Sequence, residues 1–230
     1  MGPYAKEELL ACVIARLLGG ARHAAIGASS PIPATGVFLH QQNHKSFRVS
    51  LQQRRAANPF TEGSRELFDL AGQGRIDTFF LGGAQIDGSA AINLVRAEGR
   101  RFPGSFGSAF MYPMVPGTIL FREEHSRRTL VPKVEFVSAR GTPRALLTGK
   151  ALFSWQKDSK KFLLQSFHPG EDAKSIAAAT GFDYDISPDV GATPAPTADE
   201  LALLRGPVAK QVAADYPDFA RRVWGNTLAA

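Results

Sequence analysis

Leu10, Val13, Ile14, Leu17 and Leu18 fall on one face at helical spacing, and Gly19-Gly20 supplies the stop. A short run from His23 to Ile26 then meets Gly27-Ala28-Ser29-Ser30-Pro31, the strand, small-residue loop and helix start of an α/β unit. Phe47 to Leu51 reads as a second strand. Thr61 can cap a helix from about Glu62 to Ala71, closed by Gly72 and Gly74. Thr78 to Leu81 are β-branched or apolar, so they read as a strand buried on both faces, running straight into Gly82-Gly83. Strand, helix and strand joined in this way imply parallel pairing with right-handed crossovers.

The pattern changes after Met114. Thr118 to Phe121 and Lys133 to Ser138 are strand-like, with the charged stretch Arg122 to Arg128 between them. Ala145 to Trp155 and Phe162 to Phe167 look like a hairpin across Lys157-Asp158-Ser159-Lys160. Glu171 to Thr180 is a short helix ended by Gly181. Thr197 and Glu200 make a capping box before Leu201 to Leu204, and a polar helical tail follows. The stretch Pro188 to Pro196 has a linker's composition, but too little chain follows it for a second domain. The patterns predict an α/β fold: an open, mostly parallel sheet with flanking helices, plus antiparallel hairpin strands in the C-terminal half. Residues 1–230 are expected to form one domain, with 188–230 a proline-rich segment and helical tail.

A chain of 230 residues can bury roughly three quarters of its unfolded surface, and 44% hydrophobic with 21% charged residues is an ordinary globular composition. The longest apolar run, Leu9 to Leu18, is broken by Arg16 and preceded by Glu7 and Glu8, unlike a membrane span or a signal peptide's basic start. One cysteine, Cys12, excludes an internal disulfide, and a cytoplasmic location is expected. The net charge of +6 raises nucleic acid as a partner. The basic residues are scattered pairs, however, such as Arg54-Arg55, Arg100-Arg101 and Lys160-Lys161, with no basic helix or interleaved stacking aromatics. The surplus fits solvated surface, or a few arginines facing a polyanionic small molecule.

The five histidines, at 23, 40, 44, 125 and 168, do not pair at metal-ligand spacing with one another or with Cys12; His40 and His44 could share a helix face. Gly149-Lys150 lacks the first glycine of a phosphate loop, since Arg144 stands there. Gly27 to Pro31 lacks the second glycine of a nucleophile elbow and reads as helix-start chemistry. Two glycine loops remain, Gly82-Gly83-Ala84-Gln85 and Phe102-Pro103-Gly104-Ser105-Phe106-Gly107-Ser108-Ala109. Where no Cβ guards the backbone a ligand can approach the N–H groups, as open sheets exploit at the carboxyl ends of their strands. Taken singly, each loop reads more readily as a tight turn, and neither a preceding strand nor a following helix is evident around Gly104 to Ala109.

Taken together the loops point elsewhere. Phe80-Leu81-Gly82-Gly83-Ala84-Gln85-Ile86-Asp87 with Ile92-Asn93, then Arg101 to Ser108, Ser126-Arg127-Arg128 and Pro132 to Val137, stand in order along the chain. His168-Pro169-Gly170 and Thr180 to Ser187 complete the series. This series resembles the β subunit of glutaconate CoA-transferase and its class I relatives over most of residues 8–190. The resemblance implies a paired α-type subunit of similar fold and an acyl-CoA substrate, with no nucleic acid or membrane involved. It implies no metal and no tightly bound cofactor, coenzyme A entering as part of the substrate. It also implies that Gly82, Gly83, Ala84, Gln85, Asn93, Gly104, Ser105 and Gly107 bind the thioester.

Transferases of this family use a β-subunit glutamate, set in a strand-end Val-Glu-Ser-Gly motif, which forms an acyl anhydride and then an enzyme–CoA thioester. The corresponding segment is Arg48-Val49-Ser50-Leu51-Gln52, with Ser50 in the glutamate's place and no glycine after it. A serine hydroxyl cannot form the anhydride, and no histidine lies beside it in sequence to activate it. The nearest downstream acid, Glu62, stands at a predicted helix start, where an acid simply suits the dipole. The resemblance therefore implies non-transfer chemistry on an acyl-CoA, decarboxylation or hydrolysis, with acid–base residues from the partner subunit. The alternatives are a true transferase with a relocated carboxylate, or a subunit that only completes its partner's site.

Overall fold

In the computed structural model the chain forms two compact units, one holding the chain up to Gly63 together with the segment from Pro194 onward, the other Ser64–Thr193. The structure describes residues 3–54, 60 and 62–228.

The first unit opens with α1 (Lys6–Leu17), whose first turn carries Glu7 and Glu8 at the positive end of the helix dipole. Leu9 to Ile14 are buried. Then come β1 (His23–Ile26), α2 (Pro31–Asn43) and β2 (Arg48–Leu51), close to their expected bounds. Helix α2 starts on a proline, which gives up only an N–H that would be unpaired there. Strands β1 and β2 pair in parallel, with His23 opposite Arg48 and Ala25 opposite Ser50. A Cβ at Gly36 would lie 2.5 Å from the Ile14 side chain and 2.7 Å from the Ala11 carbonyl oxygen, so glycine sets the close approach of α1 and α2.

The second unit begins at α3 (Ser64–Gly72), a little later than the pattern predicts; the expected cap Thr61 lies outside the described residues. Strand β3 (Thr78–Leu81) is buried at every position. After it the chain makes four short strands, β4 (Gln85–Asp87), β5 (Ala91–Asn93), β6 (Arg96–Ala97) and β7 (Arg100–Arg101). Helix α4 (Ser108–Met114) and strands β8 (Ile119–Arg122), β9 (Leu130–Val131) and β10 (Ala139–Arg140) follow. The unit ends with β11 (Ala145–Thr148), β12 (Ala151–Gln156), β13 (Lys161–Phe167), α5 (Ala173–Ala179) and β14 (Asp185–Ala192). Its main strands lie in the order β14-β13-β12-β11-β8-β3, and a smaller sheet runs β10-β5-β4-β9. The pairs β3/β8, β8/β11 and β13/β14 are parallel, while β11/β12 and β12/β13 are antiparallel hairpins. The expected α/β class, mostly parallel with antiparallel hairpins in the C-terminal half, is the fold observed.

Several local expectations are corrected. Lys133 to Ser138 is not a strand, because side chains take its backbone bonds: Val134 N–H donates to Asp87 Oδ2 (3.1 Å) and Glu135 N–H to Gln85 Oε1 (3.1 Å). The segment Ala145 to Trp155 is two strands, split by a turn at which Thr148 Oγ1 accepts from the N–H groups of Lys150 and Ala151. Gly104 to Gly107 does lead into a helix, α4, and Pro113 inside α4 is what hid it. The proline-rich stretch carries β14 as far as Ala192. Pro188 falls where the β13/β14 register jumps from Leu164↔Ile186 to Ser166↔Gly191, a bulge that needs no ladder N–H from it.

Helices α6 (Ala198–Leu203), α7 (Ala209–Asp215) and α8 (Pro217–Leu228) return to the first unit, with a wide turn at Leu204–Val208 around Pro207. The capping box forms: Glu200 N–H donates to Thr197 Oγ1 and Thr197 N–H to Glu200 Oε2. This tail is no solvated appendage, since Leu204, Val208, Val212, Phe219 and Trp224 are buried. Arg205 and the Trp224 indole both donate to the buried carboxylate of Glu8, and Arg54 pairs with Asp215 at 2.7 Å. Burial pushes the Glu8 carboxyl up, but hydrogen bonds from Arg205, Ala5 and Trp224 outweigh it and hold the group below its ordinary range.

Candidate functional site

The motif Gly82 to Asn93 makes one structure in the second unit. Gly82 and Gly83 leave the end of β3, and β4 and β5 fold back as an antiparallel pair with Gln85 opposite Asn93. A Cβ on Gly83 would stand 2.7 Å from the Gln85 carbonyl oxygen and 3.4 Å from that of Asn93, so the turn itself demands glycine. A Cβ on Gly82 would meet the Phe121 carbonyl oxygen at 3.0 Å. Ala84 N–H donates to the Asn93 carbonyl at 2.8 Å.

The buried amides of Gln85 and Asn93 complete a network. Asn93 Nδ2 donates to Gln85 Oε1 (2.9 Å) and to the Arg96 carbonyl (2.6 Å), while Asn93 Oδ1 accepts from the N–H groups of Val95 and Arg96. Gln85 Nε2 donates to Glu135 Oε1 at 2.8 Å, and that carboxylate also accepts from Glu98 N–H. Those bonds, the Glu98 N–H first, hold the exposed Glu135 carboxyl below its ordinary range. Asp87 Oδ1 accepts from Ser89 N–H and Oγ–H. Glu135 and Asp87 tie the hairpin together, a role visible only once the bend at 133–138 is seen.

The second loop is a different object. Gly104 has φ +123° and Phe106 has φ +45°, and a Cβ on Gly107 would sit 2.1 Å from the Phe68 ring of α3. Ser108 N–H donates to the Ser105 carbonyl at 3.0 Å, starting α4. Phe106, Phe110 and Met114 are exposed beside it, and Phe68 packs 5.7 Å from Phe106 and 5.9 Å from Phe110. The eight expected binding residues thus fall into two loops, Gly82 to Asn93 and Gly104 to Gly107.

Ser50 belongs to the first unit, one residue before the end of β2, and is buried. Strand alternation and the parallel register place Ser50 and His23 on the same face, and their side chains meet: His23 Nε2 lies 2.8 Å from Ser50 Oγ. Sequence reasoning missed His23, which is 27 residues away along the chain. The two strands and their parallel pairing were legible, but the register that joins these side chains was not. Just beyond β2, Gln52 N–H donates to the Ile26 carbonyl at 3.0 Å, while Gln52 Nε2 is buried without a hydrogen-bond partner. Glu62 is exposed.

The other histidines serve packing. His40 and His44 stack with ring centroids 3.9 Å apart and bond to main-chain carbonyls. Burial, then the neighbouring His44, lowers the His40 pKa. Among the described residues no group of three or more His, Cys, Asp or Glu is placed to hold a metal. No described helix is long and apolar enough to cross a membrane.

The fold so defined is that of the CoA-transferase subunits. It superimposes on the decarboxylase AibA/AibB with a TM-score of 0.77 at 24% identity, over 96% of this chain and 99% of that one. Glutaconate coenzyme A-transferase from Acidaminococcus fermentans gives a TM-score of 0.76 at 18% identity, over 89% of this chain and 94% of that one. In sequence the chain is homologous to the B-type subunit of 3-oxoadipate CoA-transferase from Pseudomonas knackmussii, at 30% identity over 165 residues, 61% of this chain and 62% of that protein. The chain therefore spans about three fifths of the length of this curated relative. No family model matches the chain.

Proposed function

We propose that this chain is the β-type subunit of a CoA-transferase-like hetero-oligomer that acts on an acyl-CoA thioester without transferring CoA. The observation that carries the reading is the serine at position 50. Where transferases of this kind present a carboxylate at the end of a strand, β2 presents Ser50, and an acyl–glutamyl anhydride cannot form on a hydroxyl. The structural likeness to a decarboxylase supports chemistry other than transfer. Decarboxylation or hydrolysis of the thioester, with acid–base groups from an α-type partner, fits this composition of the site. The glycine turn at Gly82-Gly83 and the loop Gly104 to Gly107 supply the scaffold against which the thioester lies, coenzyme A being part of the substrate rather than a resident cofactor.

The test uses the chain co-purified with an α-type subunit and a panel of thioesters: acetyl-CoA, glutaryl-CoA and, because the sequence relative is named for 3-oxoadipate, 3-oxoadipyl-CoA. Mass spectrometry after incubation should show consumed thioester, free acid or decarboxylated product, and no CoA-sized adduct on this chain. Exchange of CoA into labelled carboxylic acid should be absent. A CoA adduct mapping to Glu62, or to any other residue of this chain, would make it a true transferase with a relocated carboxylate.

A further inference from the structure

We infer that Ser50 and His23 form a nucleophile–base pair that accepts the acyl group, so that the complex hydrolyses its thioester. The inference rests on the acyl-CoA reading above and selects its hydrolytic branch, placing reacting groups on this chain.

The geometry separates this pair from the other imidazole–hydroxyl contacts. Thr148 Oγ1 meets His125 but has the Ala151 carbonyl as a second acceptor for its proton, at 3.1 Å. Thr180 Oγ1 meets the same ring and also reaches the Ile176 carbonyl at 2.8 Å. Thr193 Oγ1 meets His168 and shares a hydrogen bond with Ser166. Those hydroxyls are woven into networks. Ser50 Oγ instead has His23 Nε2, at 2.8 Å, as its partner. With the ring proton on Nδ1, Nε2 accepts the serine proton, the arrangement a base needs to activate an alcohol.

A second observation points to a ligand at the same strand end. Gln52 Nε2, two residues after Ser50, is buried and unpartnered. A buried N–H donor without an acceptor costs about 1–3 kcal/mol, a cost that an incoming carbonyl oxygen removes. Carboxyl ends of parallel strands are where open α/β sheets bind ligands, and both residues lie at that end of β2.

The step balances. Ser50 Oγ bonds to the thioester carbonyl carbon as its proton passes to His23 Nε2, and the Gln52 amide donates to the developing oxyanion. The C–S bond breaks, and the leaving thiolate takes that proton as free CoA. Water then attacks the acyl-serine ester, His23 accepting its proton and returning it to Ser50 Oγ as the acid departs. The sum is acyl-CoA and water giving acid and CoA.

A fluorophosphonate reagent reads the pair without knowledge of the acyl group, because a base-activated hydroxyl displaces fluoride and keeps the phosphonyl group. In the complex the adduct should map to Ser50 and vanish in Ser50→Ala. His23→Gln keeps a hydrogen-bonding side chain but no base. It should slow both labelling and thioester hydrolysis by about 10²-fold or more. The wild-type rate should rise with pH through one ionisation, and the rise should flatten in His23→Gln. Co-purification with the partner and circular dichroism confirm folding; should Ser50→Ala fail to fold, labelling of the wild type and of His23→Gln decides. If the intact complex consumes thioester while Ser50 stays unlabelled and His23→Gln keeps the full rate, the pair is structural and the inference falls, leaving the acyl-CoA reading intact. If Ser50 labels but no thioester is consumed, the pair stands and the acyl-CoA reading falls.

Discussion

His125 shows how a single buried side chain makes this fold sensitive to acid. The ring sits between Thr148 Oγ1 at 2.8 Å and Thr180 Oγ1 at 2.9 Å. Burial above all, then the nearby Lys150, lowers its pKa to about 4, against the opposing pull of Glu171. Neutral, it donates to one threonine and accepts from the other. The native pKa lies below the unfolded one, so the unfolded chain binds a proton that the native chain refuses. The ring's contribution is complete above its ordinary value of 6.5 and is lost as pH falls from there toward about 4. The urea midpoint should therefore fall across that window, by at most about 3 kcal/mol. Glu8 and Glu171, with pKa values below 4.5, add their losses only at lower pH. His125→Gln should be less stable at neutral pH yet flatter between pH 6.5 and 4.5; an equally steep variant would locate the effect elsewhere. His125 also marks what a sequence conceals: its partners lie 23 and 55 residues away, just as His23 lies 27 from Ser50.

Elements were legible wherever hydrophobic periodicity or capping carried the signal, as in α1, β1, β3 and the Thr197–Glu200 box. They were lost where side chains replaced the ladder. Alternation in Lys133 to Ser138 looks like a strand, but Asp87 and Gln85 capture its N–H groups, and no local pattern announces that. The glycine motif was visible as a motif, yet its sequence could not say that Gln85 and Asn93 bond chiefly to each other and to the neighbouring chain. The same elements supply a prediction about glycine. Gly36→Val would drive a branched side chain into Ile14 and the Ala11 carbonyl, and overpacking of this kind costs about 1–3 kcal/mol. At Gly63, whose φ is +65° with nothing within 4 Å of a Cβ, Val should cost only local backbone strain. Thermal unfolding of the two variants should place Gly36→Val well below Gly63→Val. Equal melting temperatures would mean that α1 and α2 can part without penalty.

At the scale of the molecule the feature left without a cover is the aromatic group at the start of α4. Phe106 is 68% exposed, Phe110 42% and Met114 40%, and Phe68 holds the two phenylalanine rings in place from α3. Contiguous apolar surface of this kind commonly marks an interaction site. The structural relative AibA/AibB is named as a pair of chains, and the proposed β-type role requires an α-type partner. Expressed alone, this chain should aggregate or self-associate; expressed with an α-type subunit it should give a stable complex. Phe106→Ser with Phe110→Ser should make the lone chain more soluble and weaken the complex. Buried aromatic anchors typically contribute about 2 kcal/mol or more at an interface, so a loss of about 30-fold or more in affinity is expected. Arg222→Ala, which removes a tail contact to Glu7 in the first unit, should leave association unchanged and serves as the control. Analytical ultracentrifugation of both variants with and without the partner reads the difference. A monodisperse lone monomer with full activity would refute the interface and the need for a partner together, because a complete site on one chain leaves nothing for the aromatic face to bring in.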